Sequence, residues 1–308
     1  MINGILNIYK EKGYTSHDVV ARLRGIAGQK KIGHTGTLDP EAEGVLPVCL
    51  GRATKVCDVL TDKDKVYEAV LLLGTVTDTQ DTTGQVLETH PVDASPDEVR
   101  QCIDGFIGEY EQIPPMYSAL KVGGRKLYEL AREGKTVERK SRKVFIHDIR
   151  IKEICLPRIR MEVECSKGTY IRTLCHDIGG RLGCGGCMDQ LLRTRVGQFP
   201  LEKSLRLGQV EQMVKDGRLK EILIPVDSLF PSYIQYRLKP QCDSFGHNGN
   251  PLEKKHFSDG TAEGKEMFCE GQMVRIYDSR DNFIGIYQYD SRKDRFRPEK
   301  MFFDPENI

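Results

Sequence analysis

Several features are missing from this 308-residue sequence, and each absence narrows the kinds of protein it can encode. No stretch of about 18 uncharged apolar residues occurs, so nothing predicts a membrane span. The apolar run at residues 2–8 is interrupted, and it lacks the basic leader and small-residue cleavage site of a signal peptide. Internal repeats and low-complexity tracts are also missing. We therefore predict a cytoplasmic globular protein that does not bind a membrane.

Ten cysteines raise the question of a metal site, yet little of their spacing suits one. Only Cys184 and Cys187 form a CxxC pair, and no second CxxC or HxxxH follows, although Cys175 and His176 lie just upstream. A structural zinc site needs four ligands. We predict reduced cysteines, many of them buried as small apolar side chains, with no metal and no other cofactor.

The net charge is only +1, from 46 basic and 45 acidic residues, so overall charge does not indicate a nucleic-acid-binding protein. The charge is unevenly distributed, because one segment holds nine basic and three acidic residues. The basic residues are Lys121, Arg125, Lys126, Arg132, Lys135, Arg139, Lys140, Arg142 and Lys143, and the acidic ones are Glu129, Glu133 and Glu138. Such a segment is either a solvated face or a surface that binds RNA phosphates.

Hydrophobic periodicity and turn signals predict an α+β chain. Strands are predicted at residues 5–9, 66–74, 86–88, 144–154 and 159–165, with the third pairing with the second and the last two forming a hairpin. Helices are predicted at residues 16–26 with Ser16 or Asp18 as cap, from the Ser95 cap through residue 106, at 120–131, at 169–182, and as a pair within 207–223. Residues 33–51, rich in Gly, Thr and Pro, are predicted to form an ordered loop that leads into a helix.

The character of the sequence changes after Pro231. Short strand candidates at residues 273–277 and 283–289 are separated by Gly, Asn and Asp turns, which is typical of a small β-barrel. We predict a domain boundary near residues 230–233, which divides the chain into residues 1–230 and 231–308.

The densest group of chemically suggestive residues is GHTGTLDP at residues 33–40. Its two glycines permit tight backbone geometry, and Pro40 restricts Asp39 to an extended conformation. A single carboxylate presented by a stiff loop suits catalysis. The alternatives are that Asp39 only initiates a turn and that His34 is a buried core histidine.

The longer segment GHTGTLDPEAEGVLPVCLGRATK, residues 33–55, resembles the catalytic motif of the TruB family of tRNA pseudouridine synthases. Further segments resemble that family in the same order: YEA with LGTVTDTQDTTG (67–69 and 73–84), IPPMYSALKVGGRKLYELAR (113–132), CSKGTYIRTL (165–174) and LLRTRVG (191–197). The resemblance covers nearly all of residues 1–230. It implies the pseudouridine synthase fold, a mixed and largely antiparallel sheet with flanking helices, followed by a small PUA-like β-barrel.

The activity that the resemblance implies is isomerisation of uridine 55 in the T-loop of tRNA to pseudouridine. The base is flipped out of its loop, and Asp39 acts as the nucleophile. The N1–C1′ bond breaks and the uracil rejoins through C5, so the product is an isomer and neither a redox carrier nor an energy source is needed. Whether Asp39 adds to C1′ of the ribose or to C6 of the base stays open. The implied partner is the tRNA T-arm, with no guide RNA and no obligatory protein partner.

Three more catalytic positions follow from the matched motifs. The resemblance implies that Arg172 pairs with Asp39 and keeps it charged, that Tyr67 stacks on the uracil, and that Leu191 forms an apolar wall of the pocket. The alternatives are a surface arginine on a helix, a core tyrosine and a core leucine. His34 matches the residue that fills the space left by the flipped base.

The resemblance also implies RNA contacts. Residues 112–143 correspond to a thumb-like insertion that closes over the RNA, with Lys121, Arg125 and Lys126 as candidate contacts, and the PUA-like barrel grips the acceptor-stem end in relatives. Lys55 and Tyr170 lie within matched motifs, where they have structural or RNA-positioning roles.

Two positions depart from the family pattern, and other functions remain to be weighed. Glu43 stands where many relatives carry a small hydroxyl residue, and Leu192 replaces the first of a pair of arginines, which puts a phosphate contact there in doubt. The chain could instead be a non-catalytic RNA-binding or RNA-folding protein on this scaffold, or a guide-RNA-dependent synthase. A glycoside hydrolase fits less well, because such enzymes use two facing carboxylates.

Overall fold

The computed structural model describes residues 1–258 and 268–304. The first part of the chain contains β1 (Gly4–Lys10), α1 (Ser16–Ala27), β2 (Ile32–His34), β3 (Glu43–Leu50), α2 (Cys57–Thr61), β4 (Lys65–Leu73), β5 (Thr75–Thr77), β6 (Val86–Thr89), α3 (Pro96–Asp104) and β7 (Gly108–Gln112). Next come β8 (Lys121–Val122), β9 (Arg125–Lys126), α4 (Leu127–Arg132), β10 (Arg142–Cys155), β11 (Arg158–Cys165), α5 (Ile171–Arg181), β12 (Gly186–Val196) and β13 (Phe199–Pro200). The remainder contains α6 (Leu207–Lys215), α7 (Leu219–Ile222), β14 (Ile234–Arg237), α8 (Asp243–His247), β15 (Met273–Tyr277), β16 (Phe283–Asp290) and β17 (Arg295–Met301).

Nine of these strands form one mixed sheet. Its main path runs β1-β3-β12-β4-β11-β10-β7, with β2 paired to β3 and β13 paired to β12. All of its pairings are antiparallel except that between β3 and β12. The predicted α+β class and the largely antiparallel sheet with flanking helices are therefore confirmed. No helix in the described parts of the chain has the length and apolar character needed to cross a membrane.

Most of the predicted elements are confirmed, including the hairpin of β10 with β11 and the helix pair α6 and α7. Helix α3 begins after Ser95 with a complete capping box, as its sequence indicated, but it ends at Asp104. The cap of α1 was wrongly placed, since Thr15 is the N-cap and Asp18 completes a capping box from the third helical position.

The prediction of a loop over residues 33–51 was wrong for its second half, which forms β3. This strand is buried on both faces: Val45 and Cys49 belong to one apolar cluster, and Leu46 and Val48 belong to another. A strand buried on both sides has no alternation of polar and apolar residues. Pro47 also argued against a strand, because proline lacks the backbone N–H that strand pairing uses. The Pro47 carbonyl is nevertheless used, because it accepts the backbone N–H of Thr35 at 3.2 Å.

The predicted partner of residues 86–88 was also wrong. The strand β6 pairs with β5, not with β4, and the two form a separate small hairpin. The loop between β5 and β6 contains Asp81, whose carboxylate accepts the backbone N–H of Thr83 at 3.0 Å and orders the turn. This loop lies against β12, since the N–H of Thr82 donates to the carbonyl of Met188.

A second sheet lies in the C-terminal region, in the order β14-β15-β16-β17. It has its own aromatic core, which includes Tyr236, Phe257 and Phe296. Ile286 and Phe302 instead pack into the cluster that contains Val45, so the second sheet contacts the first. Within the described residues this sheet is open, so the predicted β-barrel is not confirmed, and the division at residues 230–233 stays a prediction.

Candidate active site

The loop that carries Asp39 connects β2 to β3 and is tied down along its length. The side chain of Ser16, at the start of α1, accepts the N–H of Leu38 at 2.9 Å and donates to its carbonyl at 3.3 Å. Thr35 is fully buried, with its hydroxyl on the carbonyl of Pro47 at 3.1 Å. The N–H of Ala42 closes a turn on the carbonyl of Asp39. The Asp39 carboxylate is therefore held by a rigid backbone.

Asp39 and Arg172 form an ion pair through both carboxylate oxygens. Nε of Arg172 lies 3.0 Å from Oδ2, and a terminal nitrogen lies 3.2 Å from Oδ1. The arginine side chain is 5% exposed, whereas that of Asp39 is 39% exposed. This arrangement matches the pairing predicted from sequence. The two-pronged contact fixes the plane of the carboxylate while leaving part of it open to a ligand.

Arg172 also joins three other parts of the chain to this site. Its terminal nitrogens donate to the carbonyl of Thr79 at 3.1 Å and to that of Tyr117 at 2.8 Å, and one lies 3.6 Å from Asp81. Thr79 and Asp81 belong to the loop between β5 and β6, and Tyr117 belongs to the 112–143 segment. Arg172 lies in the first turn of α5. Its buried guanidinium therefore connects that helix to the Asp39 loop, to the loop between β5 and β6, and to Tyr117 in the 112–143 segment.

The environment shifts the pKa of Asp39 upwards from its ordinary value of 3.8. Burial is the main cause, the nearby negative charge of Asp81 adds to it, and Arg172 and Lys10 act in the opposite direction. Desolvation favours the neutral acid, while a cation at hydrogen-bonding distance favours the carboxylate. Arg172 thus limits an upward shift that burial would otherwise make larger.

Tyr67 and Leu191 lie on adjacent strands beside this pair. Tyr67 on β4 is 8% exposed and packs in the same apolar cluster as Leu38 and Ala42 of the catalytic loop, and Leu191 on β12 packs against that cluster. Burial raises the pKa of the Tyr67 hydroxyl, and the charge of Arg193 opposes the rise. The structure therefore gathers the four predicted catalytic residues around one loop.

The two departures from the family pattern are neighbours in space. Glu43 and Leu192 stand opposite each other in the parallel pairing of β3 with β12. The Glu43 carboxylate accepts the hydroxyl of Tyr9 at 3.1 Å. These residues and Leu191 line a cavity of about 440 Å³, whose lining does not include Asp39 or Arg172.

His34 lies on β2 at the edge of a basic groove. Its ring meets that of His17 edge-on at a centroid distance of 5.2 Å. Burial lowers the pKa of His34, which favours the neutral ring. The groove, of about 520 Å³, is also lined by Arg24, Lys30 and Lys31. The histidine is therefore neither a core residue nor fully exposed.

The other predicted RNA contacts bind protein groups here. Lys55 donates to the carbonyl of Met301 at 2.7 Å, and the backbone of Tyr170 exchanges two hydrogen bonds with the side chain of Gln112. In the 112–143 segment, Lys121 is exposed, Arg125 forms an ion pair with Glu133, and Lys126 lies 3.1 Å from the hydroxyl of Tyr128. Contact of these residues with RNA stays a prediction.

Sequence reasoning missed Lys10, which is fully buried below the catalytic loop. Its ammonium donates to the carbonyls of Glu11, Tyr14 and Pro40, at 3.1, 2.6 and 3.1 Å. Burial lowers its pKa to about 8, although Asp39 acts to raise it. The available signal was a lysine that ends the otherwise apolar strand β1. Asp81 was also missed as a partner of Arg172, because nothing in the DTTG turn indicates what lies beside it.

No group of three or more His, Cys, Asp or Glu side chains is arranged to hold a metal ion within residues 1–258 and 268–304. Cys184 and Cys187, the one CxxC pair, are both buried free thiols. Burial raises the pKa of Cys187 to about 11. The Cys187 side chain is therefore a protonated thiol at neutral pH.

Comparison with known proteins agrees with this geometry. Residues 24–171 match the family described as TruB family pseudouridylate synthase (N-terminal domain), and residues 172–231 match the tRNA pseudouridylate synthase B C-terminal domain. A protein of Lachnoclostridium phytofermentans named tRNA pseudouridine synthase B is 55% identical over 98% of this chain and 100% of its own length. A protein of the same name from Staphylococcus aureus is 43% identical over 98% of this chain and all of its own.

Solved structures give the same result for the fold. A chain from a crystal structure of a Cbf5–Nop10–Gar1 complex has a TM-score of 0.71 and 27% identity, and the match covers 98% of this chain and 86% of that one. A chain from an H/ACA RNP bound to a substrate RNA containing 2′-deoxyuridine has a TM-score of 0.70 and 26% identity, over 98% and 85%. With two family domains matched across residues 24–231 and a relative that is 55% identical along its whole length, the chain belongs to the TruB family of pseudouridine synthases, which are isomerases.

Proposed function

We propose that this enzyme converts uridine 55 in the T-loop of tRNA to pseudouridine, with Asp39 as the nucleophile. The observation that carries the proposal is the ion pair of Asp39 with the buried Arg172, in a chain whose curated relatives are named tRNA pseudouridine synthase B. The carboxylate is partly open to a ligand, and it is the reactive group of a loop that is otherwise fully tied down.

Each side chain at the site has a role in this reaction. Asp39 attacks the flipped nucleotide at C1′ or at C6, and Arg172 keeps enough of the carboxylate ionised to react. Tyr67 stacks on the uracil and Leu191 closes the pocket, so the detached base stays in place while it turns. His34, neutral and half-buried beside a basic groove, fills the space that the base leaves.

RNA binding involves three surfaces in this proposal. The 112–143 segment acts as a thumb, with Lys121, Arg125 and Lys126 toward phosphates. Lys55 and Tyr170 help to position the RNA. Residues 231–308 form a separate PUA-like domain that binds the acceptor-stem end, a role supported by the independent aromatic core of the second sheet.

A guide-RNA-dependent synthase is the second candidate, since the two similar solved structures come from complexes with other components. The identity is 27% or less for those chains and 55% for a relative named as a tRNA enzyme, which favours an enzyme that acts alone. Purified protein is therefore expected to modify a T-arm transcript without any added component. Activity that appears only after a guide RNA is added would favour the second candidate.

The test of the nucleophile is Asp39→Asn, which keeps the shape of the side chain and removes its charge. Tritium release from a T-arm stem-loop containing 5-tritiated uridine reports the replacement of the C5–H bond. We expect Asp39→Asn to bind the stem-loop but to release no tritium above background. The matched control is Glu41→Gln, in the same loop, whose carboxylate is half exposed and pairs with Lys12; it should keep the wild-type rate.

The outcomes separate the classes of function. Release by the wild type and not by Asp39→Asn supports the proposal. Release at the wild-type rate by Asp39→Asn would remove Asp39 from the mechanism. Tight binding of RNA by the wild type without any release would indicate a non-catalytic RNA-binding protein.

A further inference from the structure

Arg193, on β12, is a fully buried arginine with no role in the proposed chemistry so far. Its side chain is 1% exposed. Nε donates to the carbonyl of Val45 at 2.7 Å, and a terminal nitrogen lies 3.4 Å from the carbonyl of Gly36. Both acceptors are neutral main-chain groups. Burying a guanidinium in this way is costly, so an apolar side chain would serve better if packing were all that this position required.

The two carbonyls held by Arg193 flank the catalytic loop. Gly36 lies three residues before Asp39, with a φ of +123°, and Val45 lies six residues after it, in buried β3. The guanidinium is planar and rigid, so binding both carbonyls fixes the start of the loop relative to its end. Arg193 thus holds the backbone on either side of Asp39, whereas Arg172 binds the Asp39 carboxylate itself.

Arg193 also adjoins Tyr67. The two residues stand opposite each other in the pairing of β12 with β4. The two side chains lie on the same face of the sheet, and the positive charge of Arg193 opposes the burial-driven rise in the pKa of Tyr67. One side chain therefore binds the Asp39 loop and stands opposite the aromatic residue predicted to stack on uracil.

We propose that Arg193 is a positioning residue for the isomerisation, holding the Asp39 loop and the Tyr67 hydroxyl in one fixed arrangement. The inference rests on the proposed function of Asp39. Arg193 acts only through these two groups, because its burial keeps it from both the substrate and RNA phosphates. Its charge is needed as well as its shape: the charge polarises Tyr67, and the planar fork holds two carbonyls at once.

The experiment compares Arg193→Lys and Arg193→Gln with the wild type in single-turnover tritium release at saturating stem-loop. Lysine keeps the charge but lacks the rigid planar fork that fixes the two carbonyls relative to each other, whereas glutamine loses the charge. We expect the rate constant to fall about 100-fold for glutamine, the loss that a misplacement of about 1 Å can cause, and to fall less for lysine. The dissociation constant for RNA should stay within about twofold, because no phosphate contact is removed.

The pH profile provides a readout that a purely structural role would not change. When the loop is no longer held, Asp39 moves away from Arg172 and loses part of the influence that lowers its pKa. The acid limb of the pH–rate profile, in which the rate falls as the pH is lowered, should therefore move to higher pH in both variants. The control is Val196→Ala, on the same strand and fully buried, which weakens the fold without removing a charge; it should leave the rate per folded molecule and the acid limb unchanged.

Each result has a defined meaning. Arg193 variants that match Val196→Ala in rate per folded molecule and in acid limb would overturn the inference. If the glutamine variant does not fold, the lysine variant alone decides the question by the same two readouts. A wild-type enzyme that releases no tritium would contradict the proposed function instead, which keeps the two failures distinguishable.

Discussion

Asp39 and Arg172 are 133 residues apart in the sequence, and in the fold they form an ion pair through two nitrogen–oxygen contacts. Family resemblance predicted that pairing, but physical reasoning from the residues alone could not, because neither local spacing nor periodicity brings a loop to a distant helix. The same limit applies to Asp81, which is 3.6 Å from Arg172, and to Lys10 below the loop. Motif matching named the residues proposed to react and missed the charged groups Lys10 and Asp81 beside them.

The negative charge of Asp81 affects the pKa of Asp39, which gives a testable prediction for how the reaction rate depends on pH. In the proposed mechanism Asp39 reacts as the carboxylate, and its pKa is raised above 3.8. The rate should therefore fall as the pH falls through that pKa, by about tenfold per pH unit once the acid form dominates. Asp81 raises the pKa of Asp39, so Asp81→Asn should move the acid limb of the single-turnover rate to lower pH. Asparagine keeps one acceptor oxygen for the N–H of Thr83 in the turn and replaces the carboxylate oxygen that lies 3.6 Å from Arg172 with an amide nitrogen.

The matched control for this shift is Glu41→Gln, which removes a carboxylate from the catalytic loop itself and should leave the limb in place. A limb that moves to higher pH in Asp81→Asn would show that Asp81 acts mainly by holding Arg172 in position. An unchanged limb would mean that the rate does not report the ionisation of Asp39.

At the level of elements, local signals predicted most helices, but the helix predicted at residues 120–131 was wrong for its first half, where β8 and β9 form a short hairpin. They predicted the hairpin of β10 with β11 correctly and the partner of β6 wrongly. The Ser95 capping box and the apolar spacing of α5 depend on residues within one or two turns of each other. The strand β3 has no such signature, because it is buried on both faces and contains Pro47. The partner of β6 could not be read from sequence either, since a turn allows several partners and packing selects one.

The approach of β3 to β12 yields a prediction about Gly44. This residue has a φ of +107°, and a Cβ there would lie 2.2 Å from the carbonyl oxygen of Arg193. Gly44→Ala must therefore strain the backbone and push the two strands apart, and we expect the free energy of unfolding to fall by at least about 1–3 kcal/mol. Urea denaturation measures the change.

Gly208→Ala is the appropriate control, because Gly208 lies in α6 and a Cβ there would meet nothing within 4 Å. Alanine is favoured over glycine in helices, so this variant should be as stable as the wild type or more stable. Equal stabilities for the two variants would mean that the close contact at Gly44 is not required.

For the whole molecule, the sequence predicted an RNA-binding segment, but it did not predict how that segment and the second sheet contact the rest of the chain. The composition marked residues 121–143 as basic, and the structure links the base of that segment to Arg172 through the carbonyl of Tyr117. It also packs Ile286 of the second sheet, and Phe302 just after its last strand, against residues of the first sheet. Neither contact could be predicted, because both depend on tertiary packing between distant segments.

The salt dependence of binding tests whether the predicted thumb contacts RNA. Each lost phosphate contact should lower the log–log slope of affinity against salt by roughly 0.7 to 0.9. Lys121→Ala should show this change, since Lys121 is exposed; Arg125→Ala should show less, because Arg125 is already paired with Glu133. Lys203→Ala and Lys220→Ala, at two exposed lysines near α6 and α7, should leave the slope unchanged. If all four variants keep the slope of the wild type, the RNA does not contact the 112–143 segment. If the slope falls equally in the thumb variants and in the two control variants, binding depends only on overall charge.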